Sequence, residues 1–306
     1  MKGLSRRAFL KASAWAGVAS AGPGLSLRRI GAGRHAEPAP SVRDLAIGAC
    51  TSLANAPLLK AAGCDYLEEG VAGFLAPAEP EDAFAVRLAA SRASGIPIRA
   101  CNGFLPGALK AVGPAAKPAE ILAYAATAFR RAAAAGLSTI VWGSGESRRI
   151  PDGFSRARAE EQFRSLAGGI AAAAAKSGIL VVLEPLNSGE TNFLNSLAEG
   201  AAMVEAVGHP SFRLLADFYH VVRAGETADA VVKFGTLIRH CHIAEKDKRT
   251  PPGTAGDDFR PFLAALNRIG YAGGISLECR WDDMKAQLAG SVAFLRKQIA
   301  DAAARP

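Results

Sequence analysis

From residue 45 onward, short apolar runs alternate with longer stretches rich in alanine and charged residues. The runs are LAIGAC (45–50), DYLEE (65–69), PIRACN (97–102), STIVW (138–142), ILVVLE (179–184), FRLLAD (212–217), LIRHCHIA (237–244) and GISLEC (274–279). Most are apolar at successive rather than alternate positions, the pattern of parallel strands covered on both faces. Between them lie helical stretches; AEEQFRSLAGGIAAAAAKSG (159–178) is a run of good helix formers that Gly178 ends. Eight strand–helix units in a chain of this length predict an α/β fold: a single-domain (β/α)8 TIM barrel over residues 42–306, rather than an open sheet.

The segment before the barrel follows other rules. SRRAFLK (5–11) pairs two arginines ahead of a modest apolar stretch, ASAWAGVASAG, the pattern of a twin-arginine export signal. That stretch is too short and too rich in Ala and Gly to span a bilayer, which needs about 20 strongly apolar residues. Ala19-Ser20-Ala21 offers a small-x-small cleavage site, so residues 1–21 are expected to be a signal peptide and 22–41, rich in Gly, Pro and Arg, a flexible linker. Export to the periplasm is the expected destination, with no membrane span in the mature form.

The signal changes the meaning of the charge. The formal +8 includes Lys2, Arg6, Arg7 and Lys11 of the first 21 residues, which contain no acid, so cleavage leaves +4. A domain this mildly basic calls for no nucleic acid partner. The five cysteines, Cys50, Cys64, Cys101, Cys241 and Cys279, lack CxxC spacing and fall mostly in strand candidates, so they are expected to be small buried hydrophobes rather than disulfides.

In such barrels the chemistry gathers at the C-terminal ends of the strands. Four successive strand ends carry a metal-type side chain: Glu184 on the fifth, Asp217 on the sixth, His242 on the seventh and Glu278 on the eighth. Each alone has an ordinary reading; Glu184 before Pro185 can be a solvated strand end, and Asp217 can cap the next turn. His240 and His242 share one side of their strand, and His242, nearer the mouth, is the expected ligand, with His240 a deeper supporting residue. Glu278 stands between Leu277 and Cys279, so an inward carboxylate there needs a partner or a cation. Three carboxylates and an imidazole make a hard site suited to one divalent ion, Mn²⁺ first, with Mg²⁺, Co²⁺ or Zn²⁺ as alternatives.

These segments resemble the xylose-isomerase-like sugar isomerases and epimerases, which include ketose 3-epimerases and hydroxypyruvate isomerase. The resemblance is carried by LEPLNSGETNFLNS (183–196), DFYH (217–220), HIAEKDKR (242–249) and ISLE (275–278), with NGFLPG (102–107) and GSGESRRIPDGF (143–154) adding to it. It implies the same four ligands and adds Glu190, His220 and Arg249 as substrate-binding residues. It further implies that Glu184 and Glu278 are catalytic, one abstracting and one returning a proton through a metal-stabilised enediolate. The substrate is then a small keto sugar or polyol derivative.

This chain departs from the family pattern in two substrate-facing loops. Ser188 and Gly189 stand where ketose epimerases carry larger residues, and the arginine after the seventh strand comes one place late, with Lys248 in its position. Among weaker candidates for lining the pocket, Trp142, Arg148 and Arg149 stand at the end of the fourth strand, the arginine pair being expected in a solvated loop; Asn102 and Glu69 end earlier strands, and PPGTAGDDF (251–259) is expected to shape the rim. The alternative activity is a metal-dependent lyase or hydratase on keto-glycosides or keto-polyols. A repair endonuclease would need a three-zinc cluster that so few histidines cannot supply. A homo-oligomer is compatible with the sequence.

Overall fold

The computed structural model describes residues 45–304, so the expected signal and linker lie outside the described residues. Strands β1 (Ala46–Cys50), β2 (Tyr66–Gly70), β3 (Ile98–Asn102), β4 (Thr139–Trp142), β5 (Leu180–Leu183), β6 (Phe212–Asp217), β7 (Ile238–Ile243) and β8 (Gly274–Leu277) pair in parallel and close in chain order. The eight apolar runs are the eight strands, to within a residue or two at the ends.

The helices form where the polar and apolar positions repeat at helical spacing. In Arg156–Lys176, Ser155 caps the start by accepting the Arg158 N–H. Phe163, Ala167, Ile170, Ala171 and Ala174 make its buried stripe. Gly178, at φ +67°, turns the chain back into β5. Between sheet and helices lies an aromatic layer in which the Trp142 ring sits 4.6 Å from Phe163 and 5.8 Å from Phe104. Trp142 therefore points outward into this layer; strand alternation aims it away from the pocket, contrary to expectation.

The barrel interior is filled rather than hollow. Val141, Val182 and Leu215 pack together with Leu180 against it, and the Tyr66 ring closes the floor. Two glycines make room for that ring: a Cβ on Gly48 would lie 2.3 Å from it, and one on Gly274 2.6 Å from its hydroxyl. All five cysteines are free thiols. Among the described residues no helix is long and apolar enough to cross a membrane.

Candidate metal centre

The two glutamates lie one residue past their strands, yet the backbone stays in the barrel ladder. The Glu184 N–H donates to the Trp142 carbonyl at 3.2 Å and the Glu278 N–H to the Ile243 carbonyl at 3.1 Å, which keeps both at the mouth. Asp217 closes β6 and does two jobs: Oδ1 caps the helix Phe218–Arg223 by accepting the Tyr219 N–H at 2.8 Å, while Oδ2 faces the centre. In the β6–β7 register Asp217 stands beside His242.

The structure brings the four strand-end residues together. One ligand atom from each of Glu184, Asp217, His242 and Glu278 lies within 4.8 Å of every other. His242 Nδ1 is 3.2 Å from Glu184 Oε1 and 3.0 Å from Glu278 Oε2. Ligands about 2.1 Å from an ion stand up to about 4.2 Å apart, so small side-chain rotations close this set on one cation. The electrostatics agree. Burial, together with Glu278, pushes the Glu184 carboxyl up; burial also lifts Asp217 to about 6, although Arg249 opposes it. Glu278 is only half-buried; desolvation pushes it up as well, but His242 and Arg249 outweigh that and hold it at about 2. Three crowded acids with little water to screen them favour a cation.

His242 also belongs to a second trio, with Cys50 and Glu68. Cys50 Sγ is 3.9 Å from His242 Nε2, but burial and the Glu68 charge push its thiol well up, so the neutral thiol is a poor ligand. The acid side of the ring, at Nδ1, is the better place for an ion.

The residues implied by resemblance gather on the same rim. His220 is buried, and its Nδ1 accepts from the Asn187 N–H at 3.1 Å, so its proton sits on Nε2. That Nε2 makes no hydrogen bond; it lies 3.5 Å from Asp217 Oδ2 and 3.9 Å from Glu190 Oε2. Burial, aided by Arg249, keeps the ring neutral by lowering its pKa. The result is a free donor aimed at the cluster. Arg249 contacts Glu278 Oε2 and lies 3.2 Å from Asp217 Oδ2 and 3.5 Å from Glu190 Oε1.

The late arginine reaches its place through an unusual turn. Lys248 and Arg249 have φ of +53° and +59°, each costing about 1–2 kcal/mol for a non-glycine residue. The Arg249 carbonyl accepts the Arg280 N–H at 2.8 Å, and its Nε donates to the Glu278 carbonyl at 2.9 Å. Glu245 organises the rest of the rim. It is fully buried and accepts the N–H groups of Gly253 at 2.8 Å and Gly256 at 3.0 Å, with Ala255 and Asp257 beside them, and the Thr250 hydroxyl at 2.9 Å. PPGTAGDDF is thus folded around one carboxylate.

The weaker candidates divide. Asn102 does reach the site, its Nδ2 donating to Glu278 Oε1 at 3.1 Å. Glu69 does not; its carboxylate turns away and accepts the Leu53 and Gly70 N–H groups. Arg148, expected in a solvated loop, is fully buried: Nη2 donates to the Glu184 carbonyl at 2.8 Å and Nη1 to that of Trp142 at 3.3 Å. Burial lowers its pKa to about 10, still charged at neutral pH. Arg149 is exposed and holds the Glu190 carbonyl at 2.7 Å.

Sequence reasoning missed Glu68, which is fully buried one place before Glu69. Its carboxylate lies 3.0 Å from His242 Nε2, 2.8 Å from His240 Nε2 and 2.6 Å from Ser276 Oγ. The signal was present in YLEEG, where two adjacent glutamates must point to opposite sides and one of them faces inward. His240 is, as expected, the deeper histidine.

These features define a class: (β/α)8 barrels whose mouth gathers one histidine and three acids from adjacent strand ends. The family model for the xylose isomerase-like TIM barrel matches residues 56–298, and the chain belongs to that family. It is 38% identical over 106 residues to an L-ribulose 3-epimerase of Methylomonas sp. (strain DH-1), covering 34% of this chain and 37% of that one. It is 30% identical over 126 residues to a 3-dehydro-D-guloside 4-epimerase of Escherichia coli (strain K12), covering 40% of this chain and 48% of that one. The aligned stretches thus span less than half of either relative. Among solved structures, a 3-keto-D-glucoside 4-epimerase from E. coli shares the fold with a TM-score of 0.70 at 22% identity, over 83% of this chain and 99% of that one. An L-ribulose 3-epimerase gives 0.72 at 22% identity, over 84% and 95%.

Proposed function

We propose that the protein is a divalent-metal-dependent sugar epimerase or isomerase acting on a small keto sugar or polyol derivative. The observation that carries this reading is the convergence of Glu184, Asp217, His242 and Glu278 within 4.8 Å at the barrel mouth. These four would hold the ion. Bound there, the cation would supply positive charge beside the sugar's carbonyl and hydroxyl oxygens, making the intervening C–H more acidic. The chain's own groups do the rest.

Glu184 and Glu278 come from β5 and β8, with two strands between them, and reach the cluster from different directions. One takes the carbon-bound proton and the other returns one. Return to the opposite face of the same carbon epimerises; return to the neighbouring carbon isomerises. Glu184, pushed up by burial and by Glu278, is suited to carry a proton, while Glu278 is held anionic, and such a split separates acid from base. The His220 Nε2–H donates to a substrate oxygen, Glu190 accepts a hydroxyl, and Arg249 offsets charge on oxygen. Glu190 is less buried than the four ligands, which suits a group that meets an incoming ligand. The twin-arginine pattern of residues 5–11 supports export of the folded enzyme.

The second reading is a lyase on keto-glycosides, favoured by the small Ser188-Gly189 pair and by likeness to proteins named for 3-keto and 3-dehydro sugar derivatives. Manganese-loaded protein incubated in D₂O with free ketoses and with a keto-glycoside, followed by NMR, separates the two. Deuterium entering beside the carbonyl without loss of water or aglycone supports the epimerase. Released aglycone supports the lyase. Exchange that survives Glu184→Gln undiminished would refute both.

A further inference from the structure

Beneath the metal-type cluster lies a chain of buried polar groups that ends on His242 and whose other members the proposed reaction does not use. Tyr66 OH is 2.8 Å from Ser276 Oγ, and Ser276 Oγ is 2.6 Å from Glu68 Oε2. The same Oε2 is 2.8 Å from His240 Nε2, and the other oxygen, Oε1, is 3.0 Å from His242 Nε2. Glu68, His242 and Ser276 are wholly buried, and Tyr66 and His240 nearly so. A carboxylate only accepts, so every neighbour must donate to it. The Ser276 hydroxyl therefore gives its proton to Glu68 and accepts that of Tyr66, while both imidazoles present Nε2–H. The direction of each bond is set from the floor of the barrel upward.

We infer that Glu68 is the positioning residue of the metal centre: its carboxylate holds the Nε2–H of His242 and the angle of the ring, so that Nδ1 faces the cluster of Glu184, Asp217 and Glu278 and offers its lone pair to a cation bound there. The inference rests on the metal reading above. Three donors pin the Glu68 carboxylate, and the Tyr66 ring that anchors the chain is itself wedged over Gly48 and Gly274. Neither oxygen is free to swing toward the cation. Glu68 acts through His242 and never as a ligand, a division of labour common for metal-binding histidines.

The test compares Mn²⁺ and Co²⁺ affinity, by competition with a chelator, in wild type and Glu68→Gln, with near-UV circular dichroism and the metal-free melting temperature confirming the fold. The amide can accept from only one of its two heavy atoms, so the variant should bind about 10- to 100-fold more weakly. A folded Glu68→Gln within threefold of wild type overturns the inference. Should that variant not fold, long-range ¹H–¹⁵N NMR of Mg²⁺-loaded wild type decides: the inference requires His242 protonated at Nε2 and bare at Nδ1, and the reverse pattern overturns it. Wild type that binds none of these ions brings down the metal reading and this inference together; binding that is undiminished in the variant brings down this inference alone.

Discussion

Gly143 lies directly against the acid at the centre of the proposed chemistry. A Cβ there would stand 2.3 Å from Glu184 Oε2 and 3.6 Å from Leu186 Cδ2. Ordinary contact begins near 3.4 Å, so Gly143→Ala must drive the carboxylate back by about 1 Å, a displacement of the size that costs a positioned group about 100-fold. Retreat is not free, because the other oxygen of that carboxylate, Oε1, lies 3.2 Å from His242 Nδ1, and a displaced carboxylate gives up that contact. The backbone of Gly143 lies outside the left-handed region, so alanine adds a steric clash without a conformational penalty. The expected outcome is a loss of about 100-fold in kcat/KM for deuterium exchange at saturating Mn²⁺, about 2.7 kcal/mol, with weaker Mn²⁺ binding and a preserved fold. A folded variant within threefold of wild type in both measurements would show that Glu184 is not where the chemistry happens.

Three further outcomes are expected. Gly168, inside the helix Arg156–Lys176, has no atom within 4 Å of a built Cβ, so Gly168→Ala should stabilise by about 0.8 kcal/mol and raise the melting temperature by about 2–4 °C with activity unchanged. Glu245→Gln removes the charge that gathers the rim N–H groups; hydrogen exchange at Gly253 and Gly256 should quicken at least tenfold, since bonds to a charged acceptor contribute about 1.5–3 kcal/mol. The third concerns pH. Asp217 is raised from 3.8 to about 6, so between those values the folded chain holds a proton that the unfolded chain has lost, and this group's contribution to metal-free stability falls as pH rises through the window. A cation must expel that proton, so Mn²⁺ affinity measured by calorimetry should climb from pH 5 to pH 7; a flat or falling profile sinks this assignment.

Much of the molecule was legible because burial writes itself into composition. The strands are apolar on both faces, and the four strand-end residues stand out as polar groups closing apolar runs. Strand alternation is harder to read. Position at a strand end made Trp142 a pocket candidate when its ring belongs to the outer aromatic layer, and it made Glu69 the candidate of β2 when Glu68 is the residue that faces inward. Arg148 and Glu245 escaped for another reason. Arg148 was read as a solvated loop residue, as charged loop residues usually are, and Glu245 was not singled out at all; only the folded chain shows the carbonyls that converge on the one and the N–H groups that converge on the other. Arg249 marks a different limit, since it and Lys248 both take left-handed backbone that no periodicity reveals.

The tyrosine wedged over two glycines has one more consequence. Among the described residues the Tyr66 ring fills the lower end of the cylinder, which leaves the mouth beside Arg249 and Glu190 as the end where a ligand meets the cluster. On the proposed reading, a small molecule lodged in that vestibule and the sugar would claim the same space, so an inhibitor held there is expected to act competitively.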